Sequence, residues 1–249
     1  MKTNKSVWVI LFLGIFALSV PAVEESGPTA TQKRTREGRE RVARNRDRIW
    51  SFDGLEIGKL PRGWQIAETQ SRGTTATWQI MEQDGATCLA CTETVNKGNT
   101  FNLVIARRPS LQDVDIELKV KALSGKQDQG GGPIWRAQDP NNYYIARWNP
   151  LEDNLRLYTV KDGKRSQLAS AEVKADPKVW HTIEIEHIGQ QIEVSFDDKD
   201  MLKVEDAMFT VAGKTGLWTK ADAATAFDDL KVSRAQADDD DDDDGEHSK

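Results

Sequence analysis

The residue types best suited to binding chemistry lie in residues 130–148, which read GGGPIWRAQDPNNYYIARW. Glycines, arginines and aromatic side chains surround an Asp-Pro-Asn-Asn turn, and this order predicts two adjacent β-strands. Side chains on a strand alternate between its two faces. One predicted face is mostly apolar and indicates a core: Tyr144, Ala146 and Trp148. The other mixes an aromatic ring with hydrogen-bonding groups and indicates a solvated binding face: Tyr143, Ile145, Arg147 and Asn149.

Six side chains are the candidates for this binding face: Arg136, Tyr143, Arg147, Asn149, Trp218 and Lys220. We expect Arg136 and Arg147 to converge, and a strand at residues 216–220 to add Trp218 as an aromatic platform. An arginine presents several donors in a rigid fork, and an aromatic ring offers an apolar face, a combination that matches sugar hydroxyl and C–H groups. The pattern therefore favours a poly- or oligosaccharide partner. The alternative is that the arginines are solvated strand ends and the aromatics are ordinary core.

The elements that must position these residues begin after an apparent targeting segment. In residues 1–22, Lys2 and Lys5 precede an apolar run that ends near Ala22, which predicts a cleaved signal peptide. The run is shorter than the roughly 20 residues of a spanning helix, so we expect no membrane span after cleavage and a periplasmic or extracellular location. The net charge of −6 makes nucleic acid a poor candidate partner.

Charge is distributed unevenly at the two ends of the mature chain. Residues 23–48 form a basic linker, in which residues 33–48 hold eight Lys or Arg against three acidic side chains. This linker is expected to be disordered or helical and to contact an anionic cell surface. Residues 234–249 form an acidic tail with seven consecutive aspartates, which repel one another and predict disorder. Loose binding of divalent ions is the extra property expected of this tail.

Residues 49–233 read as strands and turns throughout, with no helical period of ten or more residues. Alternating stretches recur with turn residues between them, which is typical of a sandwich or jelly roll: 77–82, 101–106, 114–120, 155–160, 182–186, 192–196 and 201–204. Asp84-Gly85 and Asp162-Gly163 predict hairpin turns. The sequence therefore predicts one all-β domain built from two antiparallel sheets.

Three later segments carry a family resemblance: GGGPIWRAQDPNNYYIARWNPLEDNLRLYTVKDGKR, VWHTIEIEHIGQQIEVSFDDK and GKTGLWTKADAATAFDDLKV. Together they resemble the concanavalin A-like, laminin-G-type jelly rolls of bacterial 3-keto-disaccharide hydrolase or family 16 glycoside hydrolase-like proteins. The resemblance implies two sheets packed face to face, with any glycan site on the concave one. It also implies a glycoside hydrolase activity. A carbohydrate-binding domain, a hydrolase and a structural or adhesion protein of the cell envelope stay open.

A catalytic set is suggested only by Asp113-Val114-Asp115-Ile116-Glu117. Retaining β-glucanases of this fold carry a Glu-x-Asp-x-Glu strand, in which one carboxylate attacks and another donates a proton about 5 Å away. The alternation permits Asp113 as nucleophile and Glu117 as acid/base. Plain strand alternation produces the same pattern on any polar face, so whether the protein is an enzyme stays open.

Two further sites concern cysteine and metal chemistry. Cys88 and Cys91 lie three apart on an apparent strand, where their Cα atoms are about 10 Å apart, beyond the roughly 7 Å limit for a disulfide. Two reduced, partly buried thiols are therefore favoured, with a bulge-assisted disulfide as the alternative.

The resemblance also implies a structural Ca²⁺ ion, for which Asp53 and Asp228 are the candidate ligands, although two carboxylates are few for six to eight oxygens.

Overall fold

The computed structural model describes residues 48–71, 76–94, 96 and 100–236. The predicted signal peptide, the basic linker up to residue 47 and the aspartate run lie outside the described residues. No helix long and apolar enough to cross a membrane occurs in the part of the chain that is described.

The described residues form fifteen strands and no helix. The strands are β1 (Arg48–Trp50), β2 (Trp64–Thr69), β3 (Thr77–Gln83), β4 (Ala86–Glu93), β5 (Phe101–Leu111), β6 (Val114–Ser124), β7 (Gly132–Asp139), β8 (Asn142–Asn149), β9 (Asn154–Lys161), β10 (Lys164–Glu172), β11 (His181–Ile188), β12 (Gln191–Phe196), β13 (Lys199–Glu205), β14 (Gly213–Lys220) and β15 (Ala224–Ser233). Each alternating stretch expected from the sequence lies within one of them.

The strands form two antiparallel sheets. The eight-stranded sheet has the order β13-β12-β11-β6-β15-β4-β3, with β1 paired to β15, and the seven-stranded sheet has the order β10-β9-β8-β7-β14-β5-β2. Asp84-Gly85 and Asp162-Gly163 adopt positive φ at both residues, as two-residue hairpin turns require. The predicted all-β, two-sheet sandwich is confirmed.

The main core lies between the sheets and follows the alternation of the strands. Ile183 and Ile185 of β11 are buried there, while Glu186 is exposed. Tyr144 and Trp148 point into the same core, as the sequence predicts, and Trp135 stacks on Tyr144 with ring centroids 5.6 Å apart. Large aromatic side chains bury 150–250 Å² each, so these rings dominate the packing of the two sheets.

A second apolar cluster lies on the outer face of the seven-stranded sheet, the face that points away from the eight-stranded sheet. Its fully or nearly fully buried members include Phe101, Leu103, Ile134, Tyr143, Ile145, Tyr158, Val160 and Trp218. The expectation that this face is solvated is therefore wrong. Both faces of the seven-stranded sheet carry buried side chains.

The two cysteines are free thiols on opposite faces of β4. Cys91 lies in the main core, and Cys88 lies in a small cluster with Ala90 and Ala226. Desolvation raises the pKa of each thiol to about 12, which makes both unreactive at neutral pH. The prediction of two reduced cysteines is confirmed.

Candidate functional site

The candidate site occupies the outer face of the seven-stranded sheet, where β8 and β9 set its residues in register. Arg147 lies opposite Arg156, and Asn149 lies opposite Asn154. On β14, Trp218 lies opposite Gly132 of β7. A Cβ atom at Gly132 would lie 1.9 Å from the carbonyl oxygen of Ala146, so only glycine allows the strands to approach this closely.

One buried carboxylate brings three of the predicted binding residues together. Asp128, which is 1% exposed, accepts hydrogen bonds from Arg147 Nη1 at 3.3 Å and Asn149 Nδ2 at 2.9 Å on Oδ1. Its Oδ2 accepts from Lys220 Nζ at 2.9 Å. Sequence reasoning missed Asp128, because it lies in the loop before β7 and no local pattern marks it. We call Asp128, Arg147, Asn149 and Lys220 the Asp128 network.

Glu152 extends this network toward the solvent. Its Oε2 accepts from Arg147 Nη2 at 3.0 Å and from Arg156 Nη1 at 2.8 Å. Arg147 Nη2 also donates to Asn154 Oδ1 at 3.0 Å. Desolvation acts to raise the pKa of Glu152, but the charges and hydrogen bonds of Arg147, Asn154 and Arg156 outweigh it and hold that pKa below its usual range. Glu152 is therefore ionised at neutral pH.

Arg165 lies beside the network, over aromatic rings. Its guanidinium carbon is 4.3 Å from the Tyr158 ring centroid, 5.2 Å from that of Phe101 and 5.9 Å from that of Trp218. Desolvation, together with the positive charge of Arg147, lowers the pKa of Arg165 against the opposing influence of nearby acidic groups. A cation over a ring face is attracted by the ring quadrupole, so the three rings hold this guanidinium in place.

Several buried polar atoms on this face have no hydrogen-bond partner among the described residues: Arg147 Nε, Tyr158 Oη, Arg165 Nη1 and Trp218 Nε1. Trp218 Nε1 lies near the Tyr143 hydroxyl and Tyr158 Oη lies near Arg156, but neither contact has normal hydrogen-bond geometry. Buried polar groups are nearly always hydrogen-bonded. Unpartnered indole nitrogens also occur in the main core, at Trp64, Trp78 and Trp148, but on this face they accompany two unpartnered guanidinium nitrogens, which indicates a place for a polar ligand or water.

The end of β2 explains why Tyr143 is buried. Thr69 Oγ1 donates to the carbonyl of Pro140 at 2.7 Å, so the Tyr143 hydroxyl, also 2.7 Å away, donates to Thr69. Gln70 N donates to Asn141 Oδ1 at 2.9 Å, and Gln70 Nε2 donates to the carbonyl of Gly163 at 2.8 Å. The end of β2 thus joins two hairpin turns above the outer face.

A groove of about 240 Å³ opens on the same face of the sheet. Its lining combines apolar side chains with hydrogen-bonding ones, among them Gln65, Ala67, Ile105, Arg107, Gln138 and Lys214. Its volume is below the roughly 300–1,000 Å³ of pockets for drug-sized ligands. The groove therefore suits a small unit, such as one sugar ring.

Arg136 does not join the other candidates. It has a φ of 45°, and the pairing of β7 with β8 shifts register between Trp135 and Asp139. The side chain instead donates to three carbonyl oxygens: Gln112 at 2.5 Å, Phe209 at 2.9 Å and Gly189 at 3.0 Å. The expected convergence of Arg136 with Arg147 is wrong, because the bulge breaks the alternation on which it depended.

The weak catalytic candidates belong to the other sheet. Asp113 precedes β6 and accepts from the Gly189 amide at 2.9 Å, while Glu117 on β6 pairs with Lys231 at 2.7 Å. Glu117 lines a groove of about 410 Å³ on the outer face of the eight-stranded sheet, together with Asp115, Glu184, Glu186 and Glu193. We call this the acidic groove. Asp113 forms an ion pair with the binding candidate Arg136 at 3.5 Å, whereas Glu117 and the Asp128 network lie on different sheets.

Of the candidate metal ligands, Asp228 lies on β15 inside the eight-stranded sheet, close enough to Asp53 for their charges to interact. Burial raises the pKa of Asp228 to about 6, and the negative charges of Asp229 and Asp53 act in the same direction. The carbonyl oxygen of Phe52 is already bonded to Thr87 Oγ1 at 2.8 Å. Among the described residues, no group of three or more His, Cys, Asp or Glu side chains is arranged for a metal ion. Asp53 and Asp228 can supply two of the six to eight oxygens that calcium needs.

The sequence-family model of the β-xylosidase C-terminal concanavalin A-like domain matches residues 52–219 of this chain. The chain belongs to this family. The match confirms the concanavalin A-like class that the sequence indicates. No curated protein sequence matches the chain.

Three solved structures share the fold at low identity. Carbohydrate-binding module CBM66 from Bacillus subtilis is 18% identical, with a TM-score of 0.56 over 69% of this chain and 95% of that one. Domain 4 of AbnA, an extracellular GH43 arabinanase from Geobacillus stearothermophilus in complex with arabinotriose, is 12% identical, with a TM-score of 0.51 over 76% and 94%. The GH43 protein BlXynB from Bacillus licheniformis is 16% identical, with a TM-score of 0.53 over 75% of this chain and only 39% of that protein.

Proposed function

We propose that this domain binds a poly- or oligosaccharide on the outer face of the seven-stranded sheet, which we take to be the concave face, without cleaving it. One observation carries the proposal: Arg147, Tyr158, Arg165 and Trp218 each direct a buried, unpartnered hydrogen-bonding atom to this face. Leaving such an atom unsatisfied costs about 1–3 kcal/mol, so a ligand hydroxyl that satisfies it binds favourably.

The similar proteins support the same ligand class. CBM66 is a carbohydrate-binding module, and AbnA domain 4 was solved with arabinotriose. The half-buried Arg165 lies over the buried ring of Tyr158 and offers guanidinium donors that match sugar hydroxyls. The Asp128 network fixes Arg147 and Lys220 in position, so their free donor positions are preorganised.

A glycan array probed with the mature protein, followed by affinity measurements on the hits, tests this proposal. Trp218→Phe keeps an aromatic ring but removes Nε1, and we expect it to weaken binding about 10-fold. Trp78→Phe is the matched control, because Trp78 Nε1 is equally unpartnered but belongs to a residue of the main core. No retention of any glycan, or equal losses in both variants, would contradict the proposal.

Secretion is part of the same proposal, because a glycan ligand is met outside the cell. We propose cleavage after Ala22, release to the periplasm or medium, and contact of the basic linker with an anionic surface. The N-terminal sequence of the protein recovered from the producing cells tests this. A mature chain that starts at Val23 supports it, and a chain that retains residues 1–22 contradicts it.

A hydrolase of the 3-keto-disaccharide type is the alternative function, suggested by the sequence resemblance. Such an activity needs its acid and base beside the bound sugar, because proton transfer requires hydrogen-bond reach. Asp113 and Glu117 lie on the sheet opposite the candidate site. Product analysis of each bound glycan decides between the functions: released reducing sugar or keto-sugar that Glu117→Gln suppresses favours the enzyme.

A structural Ca²⁺ ion at Asp53 and Asp228 is a further proposal, supported by the proximity of their charges. In a chain that ends at Ser233, which removes the aspartate run, a chelator should lower the melting temperature if the ion is held. A ligand bound only to the native state stabilises it by mass action. Identical melts with chelator and with excess calcium would exclude the ion.

A further inference from the structure

The charges around the candidate site do not balance. Three carboxylates, Asp128, Glu152 and Asp222, lie beside four cationic side chains, which leaves a local charge of about +1. The cations are Arg147, Arg156, Arg165 and Lys220. The whole chain carries a net charge of −6, so the local positive charge is opposite in sign to the charge of the protein. A cationic site in an acidic protein indicates a ligand with negative charge.

Arg165 is the side chain that lacks a counterion. Asp128 and Glu152 are occupied by Arg147, Arg156 and Lys220, and no carboxylate among the described residues lies within ion-pair distance of Arg165. Ring faces surround its guanidinium, yet Nη1 is buried without an acceptor. A buried charge is costly unless it is both paired and hydrogen-bonded. A bound anion supplies both.

Arg147 offers a second free donor to the same anion. Its Nη atoms are bonded to Asp128, Glu152 and Asn154, but Nε is buried without a partner. Arg147 is close enough to Arg165 for their charges to repel. A carboxylate has only acceptor oxygens and receives donors from two guanidinium groups, whereas a hydroxyl leaves both charges uncompensated.

We propose that the preferred ligand is an acidic glycan, whose uronic acid carboxylate lies against Arg165 and Arg147. This assignment rests on the proposed carbohydrate-binding function and specifies its substrate class. The sugar ring lies over the half-buried Arg165, outside the buried rings of Phe101, Tyr158 and Trp218. A sulfate ester offers similar oxyanion chemistry, and the experiment separates the two sources.

Affinity measurements on four probes test the proposal: an oligogalacturonate, its methyl ester, a sulfated oligosaccharide and a neutral arabino-oligosaccharide. We expect the free acid to bind at least 10-fold more tightly than the methyl ester, because esterification removes the charge and keeps the same sugar rings and linkages. Arg165→Gln should abolish this preference, and Arg165→Lys should restore part of it. The control is Lys164→Gln, since Lys164 is an exposed neighbour on the same strand, and it should retain the full preference.

The outcomes separate this inference from the proposed function. Equal binding of acid and methyl ester, or a preference for the neutral probe, overturns the acidic-glycan assignment and leaves carbohydrate binding in place. Tighter binding of the sulfated probe than of the oligogalacturonate overturns the choice of a carboxylate. No binding of any probe, together with a blank glycan array, overturns the proposed function itself. Melting temperatures establish that Arg165→Gln and Arg165→Lys are folded before affinities are compared.

Discussion

The outer faces of the two sheets arise from the same alternating strands but have opposite character. On the seven-stranded sheet the outward side chains are buried, aromatic and locally cationic, with Trp218 and Arg147 almost fully shielded from solvent. On the β6, β11 and β12 part of the eight-stranded sheet they are half-buried or exposed and mostly acidic, as at Glu117 and Glu186 in the acidic groove. Antiparallel sheets commonly bury one face and expose the other. The acidic part of the eight-stranded sheet follows this rule, although the small cluster around Cys88 is buried on its outer face, and the seven-stranded sheet does not follow it.

The difference between the sheets shows that packing between them does not explain why the outer face of the seven-stranded sheet is also buried. The end of β2 and two hairpin turns cover part of the seven-stranded sheet through contacts of Thr69 and Gln70. The eight-stranded sheet has like charges opposite one another, for example Glu117 opposite Glu184. Such a surface favours hydration and gains nothing from being covered.

The largest expected loss of stability comes from a substitution in the main core, and the losses on the two outer faces are compared with it. Trp148 is fully buried between the sheets and contacts His181 and Phe196. Trp148→Ala should lower the free energy of unfolding by about 3–5 kcal/mol, as deletion of a large buried aromatic does. Urea denaturation followed by circular dichroism measures the loss. A change below about 1 kcal/mol would mean that this ring is not part of the core.

The next effect tests whether the outer face of the seven-stranded sheet is a true second core. Tyr143→Ala should lower the free energy of unfolding by about 3 kcal/mol, because the ring is fully buried. Tyr143→Phe keeps the ring and loses only the hydrogen bond to Thr69, so it should cost about 1 kcal/mol. If Tyr143→Ala melts like the wild type, the face is open in solution and the contrast between the sheets disappears.

A smaller effect concerns pH, because the two faces shift glutamate pKa values in opposite directions. Arg147, Asn154 and Arg156 outweigh desolvation and lower the pKa of Glu152, so its contribution is present above about pH 4.5 and is lost as pH falls through its folded pKa. Desolvation and then Asp198 raise the pKa of Glu184, so its protonated form favours folding at low pH, and that contribution is lost as pH rises through its folded pKa.

Two substitutions measure this pH effect. At pH 7, Glu152→Gln should destabilise the domain and Glu184→Gln should stabilise it, each by less than about 1 kcal/mol because both groups are partly solvated. The Glu184 difference should vanish near pH 3, where its carboxyl is protonated, and the Glu152 difference should shrink as pH falls through its lowered pKa. If the two substitutions change the melting temperature at pH 7 in the same direction, the electrostatic contrast between the two faces is contradicted.

The smallest expected effect belongs to the acidic groove. Glu117 is bonded to Lys231 on an exposed surface, where ion pairs contribute about 0–1 kcal/mol. Glu117→Gln should therefore change stability by less than about 0.5 kcal/mol and leave any hydrolytic activity unchanged. If Glu117 is a general acid instead, turnover should fall about 100-fold or more. That result would make the protein a β-glucanase-like enzyme.

The sequence alone determined the all-β class, most strand positions and the residues of the main core. Alternation is a local property, so Tyr144, Trp148, Ile183 and Ile185 could be assigned to the core from their neighbours alone. The hairpin turn at Asp84-Gly85 could also be predicted locally, because a two-residue turn requires positive φ at both residues. The reduced cysteines followed from the opposite faces of a single strand.

Only the tertiary structure decided how the candidate site is built. Asp128 joins Arg147, Asn149 and Lys220 from separate parts of the chain, and no local pattern reveals a contact across 92 residues, as between Lys220 and Asp128. A bulge turned Arg136 away from them, and the end of β2 buried Tyr143. Alternation shows that two side chains share a face, but which elements cover that face and which charges meet there depend on contacts distant in sequence.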